Sequence, residues 1–237
     1  MLRTFLSRFA GVAMAFTLCA HAAAQTVVPV GATFDVPAGA VWDNGCTPLD
    51  MQGTLNLNGG TMSVDGAVTF AATGSMPSLG GTLSVGSDLV LNGPLDAGNN
   101  TIVMRDGCDP GNTSQITGTL VVQNLTLQST TGRTFVLPAG VNITVLGTLT
   151  IQGTPGQNVQ LQSASGTAVI QLGPGATVVR NFASVPPTVQ IGAASASLTA
   201  IPTLGQYGLA LLSMLIGAIA FWQKRASGGH RGRHRSV

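Results

Sequence analysis

Between residues 26 and 192 the chain is built from short segments in which apolar and polar positions alternate. TLNL (54–57), TMSV (61–64), AVTF (67–70), TLSV (82–85), DLVL (88–91) and TIVM (101–104) all follow this pattern. So do TLVV (119–122), LTL (125–127), NITV (142–145), TLTI (148–151), NVQL (158–161) and AVIQL (168–172). A period of two over so few residues puts one side of an extended chain in a core and the other in water, which predicts half-buried strands. Gly, Asn, Asp and Pro punctuate nearly every gap, and no 3.6-residue apolar period runs long enough for a helix. The region reads as all-β.

The phrase Gly-Thr-Leu recurs at Gly53, Gly81, Gly118 and Gly147, with GGTM as an echo at Gly59, at unequal intervals. A short amphipathic strand cannot bury its face alone, whereas stacked coils bury a continuous column of Leu, Val and Ile. Aromatics are scarce between 25 and 200 (Phe34, Trp42, Phe70, Phe135 and Phe182), which suits a narrow stacked interior. A parallel β-helix, or solenoid, of either hand is therefore expected, with an antiparallel β-sandwich as the alternative. Phe34 or Trp42 is expected to cover the amino-terminal end of the column, and Asn56, Asn58, Asn92, Asn99 and Asn100 to stack as ladders.

The two ends have a different pattern. Residues 1–24 carry Arg3 and Arg8, an apolar stretch from Phe9 to Ala20 and then small residues. Ala22 and Ala24 fit the −3 and −1 positions of a cleavage site, so 1–24 reads as a secretory signal peptide served by the general export machinery and signal peptidase. Cys19 is preceded by Phe16-Thr17-Leu18, without the small residue that lipidation needs, and leaves with the leader. Val185 to Ala200, with its Pro pair and Ala/Ser run, reads as a linker. It leaves 25–184 as the β-rich ectodomain.

From Gly208 to Trp222 the only polar side chain is Ser213. That run reaches about 22 Å, and counting from Ile201 extends it to about 33 Å, enough for a hydrocarbon core of roughly 30 Å. Tyr207 and Trp222 stand at its ends, where amphipathic rings favour the headgroup level. Lys224, Arg225, Arg231, Arg233 and Arg235 follow, half of the ten Lys and Arg in the chain. Residues 201–223 thus read as a transmembrane helix, and 224–237 as a positive-inside cytoplasmic tail.

Ile201-Pro202-Thr203-Leu204, two further residues, the aromatic Tyr207, Gly208, the apolar run and the Arg-rich tail together resemble the IPTL-CTERM sorting domain, a relative of the PEP-CTERM signals of Gram-negative bacteria. Tyr207 stands where that family usually has Trp. The resemblance implies an exosortase-type membrane enzyme that recognises the signature, cleaves there and passes the protein to the cell surface or the extracellular space. Pro202 denies a backbone N–H to a helix and biases Ile201 toward an extended conformation, which suits a cleaved bond. Pro202 equally suits the first turn of the apolar helix.

Composition narrows the chemistry. Residues 25–200 hold no His, Lys, Glu or Tyr; their charges are eight Asp (35, 43, 50, 65, 88, 96, 106, 109) and three Arg (105, 133, 180). The net charge of +2 for the whole chain therefore comes from its ends, and the ectodomain is acidic. An acidic surface with three Arg is unsuited to nucleic acid. Without His or Lys there is no Ser-His-Asp or Ser-Lys arrangement and no His-bearing metal site. No cofactor is expected, nor an enzyme.

Cys46 and Cys108 remain after processing and are expected to pair as a disulfide in an exported chain. Their surroundings are alike, DNGC at 43–46 and RDGC at 105–108. Asp43, Asp50, Asp106 and Asp109 make a weak calcium candidate beside that bridge. Two Asp-Gly turns account for the same residues, and the spacing of known calcium loops is missing. The expectation is an exported surface or matrix protein, with exopolysaccharide as a partner. The alternatives are a polysaccharide-active β-helix enzyme using paired Asp carboxylates, and an unprocessed anchored spacer.

Overall fold

The computed structural model describes residues 24–192. The expectations for the leader (Ala24 apart), for the linker beyond 192, and for the sorting signature, apolar run and tail fall outside the described residues. Among the described residues no helix is long and apolar enough to cross a membrane.

The strands wind into a parallel β-solenoid of about seven turns, with three sides. The first coil is β1 (Thr26–Val28), β2 (Thr33–Asp35) and β3 (Val41–Asp43); the second is β4 (Leu49–Met51), β5 (Thr54–Asn56) and β6 (Thr61–Val64). The third is β7 (Val68–Phe70) and β8 (Thr82–Val85), with Ser75 bridging to Thr54 on the side between them. The fourth is β9 (Leu89–Leu91), β10 (Leu95–Asp96) and β11 (Thr101–Met104). In the fifth, β12 (Thr113–Thr117) precedes the long β13 (Thr119–Gln128); in the sixth, β14 (Thr134–Leu137) precedes β15 (Asn142–Gln152). The seventh is β16 (Val159–Ser163), β17 (Ala168–Leu172) and β18 (Thr177–Asn181), and β19 (Ala183–Ser184) and β20 (Val189–Ile191) begin another.

Every pairing between these strands is parallel, so the antiparallel sandwich does not apply. β13 and β15 turn a corner without ending. Between Val122 and Asn124 the register shifts as Leu146 and Gly147 oppose Gln123, a bulge that bends the ladder from one side to the next.

In-register stacking turns sequence alternation into columns. Trp42, Met62, Leu83, Ile102, Leu125, Leu149 and Val178 are successive partners on the third side. Leu95, Leu120, Ile143, Ile170 and Ile191 run along the second side, and Leu49, Val68, Leu89 and Ile116 along the first. Most of these side chains are fully buried, each contributing about 1.5–3 kcal/mol of apolar transfer.

The ends of the columns differ in character. At the amino-terminal end Phe34 and Trp42 head two inward columns and meet edge to face, ring centroids 5.0 Å apart. At the other end the column Val64, Val85, Met104, Leu127 and Ile151 finishes on Arg180, in the exposed strand β18. A charge at an inward position discourages further strands from adding there.

The Gly-Thr-Leu phrases sit at different corners: Gly53 and Gly118 precede strands of the second side, Gly81 and Gly147 strands of the third. That is why their spacing is irregular. Gly118 has φ +87°, and a Cβ there would lie 2.2 Å from the Leu91 carbonyl oxygen, so only glycine fits.

Two expectations change. The asparagines do not stack as a ladder: Asn56 donates to Asp35 (2.8 Å), while buried Asn100 donates to the carbonyls of Pro77 (2.7 Å) and Ala97 (2.6 Å). A side-chain carboxylate and corner carbonyls are nearer partners than another amide. The β-domain also continues past 184, because β20 pairs with β17 and buries Val189. The three-residue alternation of β20, just after a Pro pair, is too short to stand out in sequence.

Candidate functional site

The chemistry-bearing side chains gather on the corner between the third side of one coil and the first side of the next. In the early coils this corner is made almost flat by glycine. A Cβ on Gly66 would lie 2.7 Å from the Cys46 carbonyl oxygen, and one on Gly86 would lie 2.7 Å from the Gly107 Cα. A Cβ on Gly107 would lie 2.2 Å from the Asp65 carbonyl oxygen and 2.4 Å from that of Gly86. The segment after β11 therefore lies down against the preceding turns, where Cys108 donates its N–H to the Asp65 carbonyl (3.0 Å). It reaches Cys46, and the two cysteines form a disulfide with Cα atoms 5.5 Å apart.

Arg105 reinforces this clasp. Its Nε donates to Ser84 Oγ (2.6 Å), Nη2 donates to Ser63 Oγ (2.8 Å) and pairs with Asp65, and Nη1 donates to the Asp106 carbonyl (3.0 Å). One guanidinium thus joins three coils.

Asp106 points to the next turn. It accepts hydrogen bonds from Ser129 Oγ (2.7 Å), the Thr130 N–H (2.7 Å), Thr130 Oγ1 (3.0 Å) and Thr131 Oγ1 (3.1 Å). Burial pulls its pKa up, but these donors outweigh burial and hold the carboxyl below its ordinary 3.8. Arg133 is almost wholly buried; its Nη1 donates to Ser114 Oγ (2.7 Å), and its Nε lies 3.4 Å from Asp106 Oδ1. That Nε makes no hydrogen bond among the described residues, so charge pairing with Asp106 is what offsets its desolvation.

The four carboxylates of the calcium candidate have separate roles. Asp43 accepts from the Gly45 N–H (2.8 Å) and Asp109 from the Gly111 N–H (2.9 Å), both local turns. The Gly111 N–H is also the main reason Asp109 titrates below 3.8, against an opposing desolvation and with help from Ser87 and Arg133. Asp50 takes the Gln52 amide (2.8 Å), and Asp106 is committed as described. Among the described residues no group of three or more His, Cys, Asp or Glu is placed to hold a metal ion.

Beside Arg105 and Asp106 the corner opens into a cavity of about 300 Å³, continued by Gln128, Thr130, Gln152 and Thr154 from the next two coils. Sequence reading missed Arg105, Arg133 and Asp65 as a set, having counted them only as charge. The available signal was the retention of arginine in a region almost free of cations.

The sorting residues Ile201, Pro202, Thr203, Leu204, Tyr207 and Gly208 fall in a segment assigned by comparison. Residues 199–232 match the IPTL-CTERM motif. The match includes the whole signature, the apolar run, and Lys224, Arg225 and Arg231 of the tail. No curated protein and no solved structure matches the chain. The IPTL-CTERM motif points to a C-terminal sorting signal on an exported protein, and the β-solenoid is compatible with that role.

Proposed function

We propose that this chain is an exported surface or extracellular-matrix protein whose solenoid is displayed outside the cell after an exosortase-type enzyme cuts at the Ile201–Gly208 signature. The IPTL-CTERM match at 199–232 is the observation that carries the reading. The Cys46–Cys108 disulfide supports export, since such bonds persist in oxidising compartments. In this account residues 1–24 direct secretion, the apolar run from Ile201 holds the chain in the inner membrane, and the basic tail stays inside. The role outside is display and binding. The best-organised carboxylate, Asp106, is occupied by three side chains and one N–H, which leaves it poorly suited to acid–base work.

Replacing Ile201, Pro202 and Thr203 with alanine tests the reading. A sorting signal so altered leaves the protein in the inner membrane and removes the surface form; unchanged distribution between fractions would reject it in favour of a plain anchor.

A further inference from the structure

The cavity at the Asp106 corner gathers two kinds of polar group, charged ones paired within the fold and neutral ones left free. Its charged members are paired within the fold: Arg105 with Asp65, and Asp106 with Arg133, while Ser63, Ser84 and the Ser129–Thr131 turn add hydrogen bonds. The amides of Gln128 and Gln152 and the hydroxyl of Thr154 make no side-chain hydrogen bond to any described residue, although all three line the cavity. Gln128 and Gln152 are register partners, so their amides rise from adjacent rungs about 4.8 Å apart on a rigid sheet. Between Gln152 and Thr154, a Cβ on Gly153 would lie 2.5 Å from the carbonyl oxygens of both Gln157 and Phe182, so the floor admits no side chain there.

We propose that this cavity binds a neutral saccharide chain lying along the solenoid axis. Each amide offers a donor and an acceptor, the complement of neighbouring sugar hydroxyls, which also donate and accept. A one-rung separation is comparable with the length of one sugar unit, so Gln128 and Gln152 address successive units. The cancelled charges at the rim favour neither an anion nor a cation. No large apolar side chain lines the cavity, which disfavours lipid or the side chains of a peptide. The sheet fixes the spacing from which the two side chains rise, although each amide is still ordered on binding. The proposal deepens the surface-binding part of the function above and is independent of sorting.

The test uses the purified full chain in a detergent without a sugar headgroup, titrated calorimetrically with maltotetraose, cellotetraose and, as a charged comparison, tetragalacturonate. Saturable binding of at least one neutral tetrasaccharide is expected, weakened tenfold or more by Gln128→Ala with Gln152→Ala. Thr154→Arg, which fills the cavity from its rim, abolishes binding, and Gln162→Ala, on another side of the solenoid, leaves it unchanged. Melting temperatures near that of the parent establish that the variants are folded. Failure of both neutral probes, parental affinity in the Gln128/Gln152 and Thr154 variants, or preference for tetragalacturonate would overturn the proposal. A chain that binds but is not processed would refute the sorting reading alone.

Discussion

Cys46 follows the first coil and Cys108 follows the fourth, yet their Cα atoms are 5.5 Å apart. The turn after β11 achieves this by folding back over Gly66 and Gly86, and the disulfide ties the amino-terminal coil to the body of the solenoid. A terminal coil has a neighbour on one side only, so it is the coil that gains most from a covalent tie.

Reducing the disulfide, or the double substitution Cys46→Ser with Cys108→Ser, is expected to lower stability by about 4 kcal/mol in the chain-entropy account for a bridge spanning 62 residues. Thermal unfolding with and without reductant measures it. Hydrogen exchange should show β1 to β3 losing protection first; equal loss in β15 would contradict the local account.

Gly107→Ala tests the clasp by shape rather than by chemistry. The added methyl meets two carbonyl oxygens of the turns beneath, at 2.2 and 2.4 Å, so the segment must lift. Free thiols should become titratable in the unreduced protein. Full disulfide formation at parental stability would show that the segment does not need to lie flat.

Arg133→Ala leaves buried Ser114 without its donor and removes the cation beside Asp106, whose four other donors remain, at a cost of about 1–3 kcal/mol. Urea unfolding reads it directly.

The pH dependence follows from the same corner. Asp106 and Asp109 titrate below 3.8, so the folded state holds their ionised forms more strongly than the unfolded chain does. Their contribution is present at neutral pH and is lost as pH falls below about 3.8, through the lowered folded-state values. Asp106→Asn should flatten the acid limb of the stability profile between neutral pH and pH 3. An unchanged limb would assign acid sensitivity to other carboxylates.

Much of the fold was legible because solenoid stacking preserves local alternation. Segments such as TMSV (61–64) and TIVM (101–104) appear as strands with those boundaries. Val41–Asp43 and Leu49–Met51 were not legible, since three residues between turn formers carry too little period. The corner cluster was less accessible still. Arg105 donates to Ser63, 42 residues earlier, a neighbour that exists only once the coils are stacked. No spacing rule reaches across coils whose partners stand 21 residues apart at Thr54–Ser75 and 29 at Thr148–Thr177.

The central claim, that the chain is exported, cut at the IPTL signature and displayed, is tested most directly by intact mass. Inner membrane, outer membrane and medium from native cells are separated, and the protein in each is weighed. The account predicts a species beginning near Gln25 and ending between Ile201 and Gly208, located outside the inner membrane. A species retaining Arg225 through Val237 in the inner membrane at steady state would contradict it.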